Sequence, residues 1–225
     1  VAIGMTGLGD ALAMQGINYG SDLARVSAKV WIQRMRDEAY AASCALAQER
    51  GAFPRFDAAS YLASPHAASR LPAVLHHQIL SGGIRNSHLM SIGPNETLSF
   101  ACADHSSCGV EPARLAVETH YLRDPSGLMQ AYLCTDHALR SRAHLQLKSD
   151  AIWDRVLESA THIDPVDIVR MAATLTPYVD GCIVRNIYRQ PHMSLQEFEE
   201  LCLLGWDLGL KELATFTGRD SFSHL

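Results

Sequence analysis

Residues 84–100 read IRNSHLMSIGPNETLSF, and this stretch decides how the rest of the chain is interpreted. The apolar run at 89–92 is typical of a short buried strand. A Gly-Pro pair at 93–94 ends the run, and the polar residues Asn, Glu and Thr follow at once at 95–97. The break is therefore either an ordinary turn or a loop that presents backbone N–H groups to an anion.

The break favours binding of an anion only if a helix begins directly after it. Residues that lead from a strand into a helix have free N–H groups, and the helix dipole adds about half a positive charge there. The hydroxyl groups of Thr97 and Ser99 could donate as well. The alternative is a plain N-cap in which Asn95 bonds to nearby backbone. Because such turns are common, the pattern by itself favours the N-cap.

Helical patterns dominate the chain, with short strand-like runs between them. The longest predicted helix begins at the N-cap Ser21 and carries apolar residues at helical spacing. Two further helices have clear starts, at Asp164-Pro165 and at a capping box formed by Ser194 and Glu197. The predicted strands are HLMSI, THYL, CIVRNIY and ELATFT. These patterns predict an α/β fold in which helices are the larger part.

Three segments give a weaker signal. LPAVLHHQILSGG predicts a helix with Pro72 in its first turn. Residues 128–148 fit neither a helix nor a strand clearly, and DAIWDRVLESATHI has helical period. Since no linker or internal repeat separates any of these elements, we expect one domain over residues 1–225.

Composition excludes several classes of protein. The net charge of −5 does not favour a nucleic-acid partner, and no apolar run is long enough to span a membrane. The six cysteines form no C-x-x-C pair and no recognisable disulfide framework, which favours free thiols in a reducing compartment. We therefore expect a cytoplasmic protein. Because the chain begins at Val1 rather than Met, we also expect a piece of a longer polypeptide.

One cluster of metal-ligand residue types follows the opening stretch. The segment CADHSSCGVEP brings Cys102, Asp104, His105 and Cys108 close together. Thiolates and imidazoles bind zinc, but this spacing matches no common zinc signature. Buried cysteines and a surface histidine are the favoured interpretation, and the sequence assigns no metal site.

Three segments together resemble a known family. IGMTGLGDALAMQGINYGSD, GIRNSHLMSIGPNETLSF with SSCGVEP, and PYVDGCIVRNIY with FEELCLLGWDLGLKELATF are similar to the C-terminal part of the ribonucleotide reductase catalytic (large) chain. The resemblance is strongest to the adenosylcobalamin-dependent class II, and it runs from about residue 1 to about residue 218. It implies the C-terminal portion of a ten-stranded α/β barrel, incomplete on its own.

The same resemblance implies a role for the opening stretch. In this family the loop after the strand binds the phosphates of the ribonucleotide substrate. Its residues in this sequence are Pro94, Asn95, Glu96, Thr97, Leu98 and Ser99. With the resemblance included, the phosphate loop becomes the favoured interpretation over the N-cap. The implied function is part of a ribonucleoside-diphosphate reductase, an oxidoreductase that makes deoxyribonucleotides for DNA synthesis by thiyl-radical chemistry.

Departures from the family pattern define what this chain would lack. Ala214 and Thr215 stand where the iron-dependent class has two radical-transferring tyrosines, which implies adenosylcobalamin as the cofactor, bound mainly by another part of the enzyme. The radical motif N-x-C-x-E is absent from this sequence, so no catalytic residue is assigned. The expected partner is the N-terminal catalytic portion, with homo-oligomers also possible. The alternative is a non-catalytic remnant that acts as an interaction or nucleotide-binding module.

Overall fold

We analysed the chain as a computed structural model. The structure describes residues 1–65, 67–93, 98–99, 101, 106–112, 117–145, 163–183, 186–189 and 193–217. These residues fall into two compact units. The first unit comprises Val1–Gly4, Val26–Gly93 and Val169–Leu225, and the second comprises Met5–Arg25 and Pro94–Ile168.

Helices make up most of the described secondary structure, as the sequence predicts. They are α1 (Leu8–Met14), α2 (Asp22–Arg50), α3 (Ala58–Ala63), α4 (Ala73–Gly82), α5 (His137–Leu145), α6 (Pro165–Leu175) and α7 (Leu195–Asp207), with single 3-10 turns at Ala67–Arg70 and Thr176–Tyr178. The strands are β1 (Val117–Arg123), β2 (Met129–Thr135), β3 (Asn186–Arg189) and β4 (Ala214–Thr217).

The two clearest helix starts are confirmed in atomic detail. The Asp164 carboxylate accepts a hydrogen bond from the Val166 N–H at 2.9 Å, directly before α6. At α7, the Ser194 hydroxyl accepts from the Glu197 N–H at 3.2 Å, and the Glu197 carboxylate accepts from the Ser194 N–H at 2.7 Å. Both caps satisfy amides that the first helical turn leaves without intrahelical partners.

The three segments with weaker sequence signals have different outcomes in the structure. Residues 128–148, which give no clear pattern, contain strand β2 and helix α5. The sequence places Pro72 in the first turn of α4, but it is the N-cap, because its ψ of 150° is extended rather than helical. Residues 150–162 of the segment DAIWDRVLESATHI lie outside the described residues.

Parallel pairing characterises the first unit. Ile3 forms a parallel bridge with Met90, Ile92 forms another with Ile183, and β3 pairs with β4 in parallel. The predicted strand HLMSI thus takes part through these two bridges. Gly4 is needed for the close approach, because a Cβ there would lie 2.4 Å from the Ser91 carbonyl oxygen. Parallel pairing with intervening helices is the arrangement of α/β folds.

A buried carboxylate, that of Asp180, holds the start of this strand. One carboxylate oxygen accepts the N–H groups of Leu89 at 2.8 Å and Met90 at 2.9 Å. The other accepts the hydroxyl of Tyr40, on α2, at 2.5 Å. Burial, followed by the neighbouring Asp180 carboxylate, raises the pKa of Tyr40, so its hydroxyl keeps its proton and donates. One side chain therefore joins strand 89–92 to the long helix.

Lys211 secures the segment that carries Asp180. Its ammonium group donates to the carbonyl oxygens of Val179, Asp180 and Gly181 at 3.1, 3.0 and 2.9 Å. Desolvation lowers the pKa of Lys211, and the nearby Asp180 charge opposes that shift. Three consecutive carbonyl groups after the 3-10 turn thus receive a charged donor.

The second unit contains an antiparallel hairpin of β1 and β2. Val117 pairs with Thr135 at one end of the register and Arg123 with Met129 at the other. The turn uses Gly127 at φ 90°, in the left-handed region that glycine adopts without strain. Both strands are largely exposed, with Tyr121 66% accessible. No described helix is long and apolar enough to cross a membrane.

We predict that Tyr40→Phe lowers the free energy of unfolding by about 1–3 kcal/mol, because the substitution leaves a buried Asp180 oxygen without its hydroxyl donor. Urea denaturation of the purified chain measures this change. The matched control is Tyr121→Phe, which removes the same hydroxyl at an exposed site and should change stability by about 0.5 kcal/mol or less. Equal effects of the two substitutions would contradict the role assigned to Asp180.

Candidate phosphate-binding site

The predicted phosphate loop is described in part. Pro94, Asn95, Glu96 and Thr97 lie outside the described residues. Leu98 and Ser99, which follow them, are helical. The Leu98 side chain is exposed, whereas Ser99 is buried. The assignment of these six residues to phosphate binding therefore stays a prediction.

Ser99 uses its side chain to hold a neighbouring loop. Its hydroxyl donates to the backbone carbonyl of Ser106. Because a hydroxyl carries one hydrogen, this bond leaves the backbone N–H of Ser99 as the group that could donate to an anion. The side chain of Leu98 is apolar, so this residue can likewise contribute only its backbone N–H. Any hydroxyl donor of the predicted loop would then be Thr97.

The loop at residues 106–111, which accepts the Ser99 hydroxyl, is bonded to the start of α1. The Gly7 N–H donates to the Ser107 carbonyl at 2.8 Å, and the Leu8 N–H donates to the Gly109 carbonyl at 3.3 Å. The Thr6 hydroxyl donates to the Ser107 carbonyl at 3.1 Å and accepts the Gly109 N–H at 3.0 Å. These bonds provide hydrogen-bond partners for backbone N–H groups at the start of α1 and for backbone groups of the loop.

Ser107 caps α1 from a distant part of the sequence. Gly7, the N-cap residue, has a left-handed φ of 80° and no side chain that could cap the helix. The Ser107 hydroxyl takes that role by accepting the Asp10 N–H at 3.1 Å, and the Asp10 carboxylate accepts the Ser107 N–H at 3.2 Å. The pair reproduces the reciprocal bonds of a capping box between segments 97 residues apart.

Asp10 and Asp136 form a buried pair of carboxyl groups. Asp10 is 3% exposed and Asp136 is 4% exposed. Asp136 lies at the N-terminus of α5, where its carboxylate accepts the Ala138 N–H at 3.0 Å. The pKa of Asp10 is raised to about 8, mainly by burial, then by the charge of Asp136 and a hydrogen bond with it, while the bonds from Ser107 oppose the shift.

Tyr19 completes the support of the 106–111 loop. Its buried hydroxyl donates to the Val110 carbonyl at 2.6 Å. Within the loop, the Glu111 N–H donates to the Cys108 carbonyl at 2.9 Å, and Glu111 is itself buried. The loop therefore has polar partners on α1, at Tyr19 and at Ser99.

Sequence reasoning missed Asp10, Tyr19, Ser107 and Asp136. One signal was available for Asp10, because it interrupts the apolar helical segment LGDALAM between Leu8 and Leu12. A charged residue on a buried helix face needs a polar partner. The identity of that partner could not be read from the sequence, because it lies on a remote segment.

The candidate zinc cluster is only partly described. Cys102, Asp104 and His105 lie outside the described residues, while Cys108 is half-buried. Across the described part of the chain, no group of three or more His, Cys, Asp or Glu side chains could hold a metal ion.

Comparisons with known proteins bear on the family and the fold. A family model described as "Ribonucleotide reductase, barrel domain" matches residues 1–216. The ribonucleoside-diphosphate reductase subunit alpha of Treponema pallidum is 22% identical over 218 residues, which is 95% of this chain and 24% of that protein. The vitamin B12-dependent ribonucleoside-diphosphate reductase of Mycobacterium tuberculosis is 24% identical over 232 residues, which is 96% of this chain and 31% of that protein.

The fold is shared with a solved structure. The alpha subunit of the class Id ribonucleotide reductase of Actinobacillus ureae superposes with a TM-score of 0.63 at 19% identity, covering 96% of this chain and 38% of that subunit. These findings confirm the predicted fold, a portion of the reductase barrel. The chain spans about a quarter to two fifths of the length of these proteins.

We predict that Ser107→Ala destabilises the protein by about 1–2 kcal/mol, because it removes the hydroxyl that caps α1 and leaves the Asp10 N–H without an acceptor. Chemical denaturation measures the loss. Ser81→Ala is the control, since Ser81 is exposed on α4 and its hydroxyl bonds only to carbonyls of its own helix. That change should be close to neutral. A Ser107→Ala protein as stable as the control would exclude the capping role.

Proposed function

Because this chain belongs to the ribonucleotide reductase barrel-domain family, we propose that it supplies the substrate-phosphate loop and part of the barrel wall of a ribonucleoside-diphosphate reductase. The family match over residues 1–216 is the observation that carries this proposal. The named activities of the Treponema and Mycobacterium relatives support the reaction, which is conversion of ribonucleotides to deoxyribonucleotides.

The proposed contribution of this chain is binding and orientation. Backbone N–H groups at residues 97–99 would bind the negative oxygens of the substrate, as the amides of a helix N-terminus do where they have no intrahelical acceptor. The Thr97 hydroxyl would add a donor. The bond from Ser99 to the 106–111 loop supports this assignment, because it restrains Ser99 without using its backbone N–H. A restrained site binds with less loss of entropy than a mobile one.

The radical chemistry would come from polypeptide outside this chain. The sequence contains no N-x-C-x-E motif, and the chain covers less than a third of either bacterial relative compared above. We therefore propose the N-terminal catalytic portion of the reductase as its partner. That portion would be either the upstream part of the same polypeptide or a separately encoded chain.

Adenosylcobalamin is the proposed cofactor, because three vitamin B12-dependent reductases are among the relatives. When bound, it would supply the initial radical. The resemblance to the family implies that other parts of the enzyme mainly bind it. We therefore assign no cofactor contact to this chain and propose that the partner portion binds it.

The cellular setting follows from the same proposal. Four of the described cysteines are free thiols, namely Cys44, Cys134, Cys182 and Cys202. Free thiols persist in reducing compartments. We propose a cytoplasmic enzyme.

The reaction is tested by reconstitution. The chain is mixed with the polypeptide that carries N-x-C-x-E, adenosylcobalamin, a dithiol reductant and a ribonucleoside diphosphate. We expect deoxyribonucleotide from the complete mixture and none when this chain is omitted. A folded complex that binds nucleotide but gives no product would favour the alternative, a non-catalytic nucleotide-binding remnant.

We predict that Thr97→Ala weakens binding of the ribonucleoside diphosphate by about 1–2 kcal/mol, which is roughly 5- to 30-fold in Kd, because a hydrogen bond to a charged group is lost. Isothermal titration calorimetry measures the change.

Two variants serve as controls for this prediction. Thr97→Ser keeps the hydroxyl and should retain most of the affinity. Thr119→Ala makes the same deletion at an exposed position on β1 and should leave binding unchanged. If Thr97→Ala binds as tightly as the Thr119→Ala protein, the hydroxyl has no part in the site.

A further inference from the structure

We propose that Asp10 and Asp136 share one proton, and that this acid–carboxylate pair positions the 106–111 loop that holds Ser99, so that loss of the proton weakens nucleotide binding. Asp10 would be a positioning residue, acting on the substrate through Ser107 and the loop. The inference rests on the proposed function, since it concerns the site that begins at residue 94.

The buried setting of Asp10 favours a proton between the two side chains. One Asp10 oxygen accepts the Ser107 N–H at 3.2 Å. The other oxygen is buried, and no described N–H or hydroxyl group donates to it. Helix α1 packs against α5, and the Asp136 carboxyl group at the start of α5 is the side chain whose charge and hydrogen bonding act to raise the pKa of Asp10. Two carboxylate oxygens have no hydrogen to donate, so this contact is a hydrogen bond only when one of them is protonated.

The proton belongs on Asp10 rather than on Asp136. Asp136 lies at the start of α5 and accepts the N–H groups of Ala138 at 3.0 Å and Leu139 at 3.4 Å. These bonds and the helix dipole stabilise the charged form of Asp136. Asp10 has one opposing N–H bond to its carboxyl group, and burial raises its pKa. Protonated Asp10 therefore donates to charged Asp136.

Other ionisable groups lie on the segments that pack against α1. They are His137 and Arg140 in the first turn of α5, and Cys108 and Glu111 on the 106–111 loop. Asp136 is the group whose charge acts to raise the pKa of Asp10. The other four do not replace the proton in the Asp10–Asp136 contact, because that contact joins two carboxyl groups directly.

Deprotonation of Asp10 would disturb the 106–111 loop through Ser107. Two adjacent buried carboxylates repel each other, and the Asp10 side chain would lose its donor role. The Asp10 carboxyl group accepts the Ser107 N–H, and the Asp10 backbone N–H donates to the Ser107 hydroxyl. Displacement of Asp10 would therefore displace the loop whose Ser106 carbonyl accepts the Ser99 hydroxyl.

The sign of the pH effect follows from linkage. The pKa of Asp10 is raised from 3.8 to about 8, so the folded protein holds a proton that the unfolded chain has released. The resulting contribution to stability is complete below about pH 4 and is lost as the pH rises to about 8. Nucleotide affinity should fall above about pH 8, by about tenfold for each further pH unit, if binding needs the protonated pair.

The test compares the full chain with its Asp10→Asn and Asp136→Asn variants. The amide of Asp10→Asn keeps an oxygen for the Ser107 N–H and carries an N–H donor for Asp136, so it imitates protonated Asp10 at every pH. The amide of Asp136→Asn keeps an oxygen that can cap α5 but removes the second charge. The dissociation constant of cytidine diphosphate is measured by calorimetry between about pH 7 and about pH 9.5, where the phosphate charge no longer changes because its last pKa is about 6.

The pH dependence of nucleotide affinity in these three proteins tests the positioning role of Asp10. We expect wild-type affinity to fall above about pH 8, Asp10→Asn affinity to stay constant, and the Asp136→Asn fall to move to lower pH. Constant wild-type affinity, or the same fall in wild type and Asp10→Asn, would overturn the positioning role. An Asp10→Asn chain that does not fold is replaced in this comparison by Asp136→Asn, whose unchanged pH profile would also overturn it.

Infrared spectroscopy separates this proposal from the proposed function. A protonated carboxylic acid has its own carbonyl absorption band, which should be present in wild type at neutral pH and absent from Asp10→Asn. If the chain binds no nucleotide at any pH, the proposed function fails and the positioning role fails with it, whether or not the band is present. If nucleotide binds but the band is missing at neutral pH, the shared proton is excluded while the phosphate site stands.

Discussion

Buried backbone N–H and C=O groups must find partners, and this constraint shapes both units of the protein. The parallel strands are short, and isolated bridges leave many of their polar groups without a ladder partner. Side chains supply the missing bonds. Asp180 accepts two strand amides, Lys211 donates to three consecutive carbonyls, and Ser107 caps a helix that has glycine at its N-cap.

The need to pair buried backbone groups also links the stability of the 106–111 loop to the proposed phosphate site. The 106–111 loop has no regular secondary structure, and its carbonyl and amide groups are satisfied by Thr6, Tyr19 and the start of α1. Ser99 joins this network through its hydroxyl. A loop held in this way restrains Ser99 in one conformation, which would favour binding at the proposed site. Family membership explains why such a loop would be there, and local bonding explains how it would be kept in place.

Local sequence patterns predicted the elements whose signals are contained within a few residues. The capping box of Ser194 and Glu197 and the Asp164 cap were found because each motif lies within one helical turn. Residues 128–148 were not resolved in advance, because β2 is exposed on both sides and has no alternation between buried and exposed residues for a pattern to report. Of the predicted phosphate residues 94–99, residues 94–97 lie outside the described part of the chain, and Leu98 and Ser99 lie within it.

The sequence by itself determined the family, the helix-rich α/β class and the order of the main elements, because motif spacing and helical period are properties of neighbouring residues. Only the tertiary structure decided that Asp10 meets Ser107 and Asp136, and that Tyr40 meets Asp180. These partners are about 100 residues or more apart along the chain. Their meeting depends on how the helices and strands pack, and no local pattern records which distant side chain will satisfy a buried polar group.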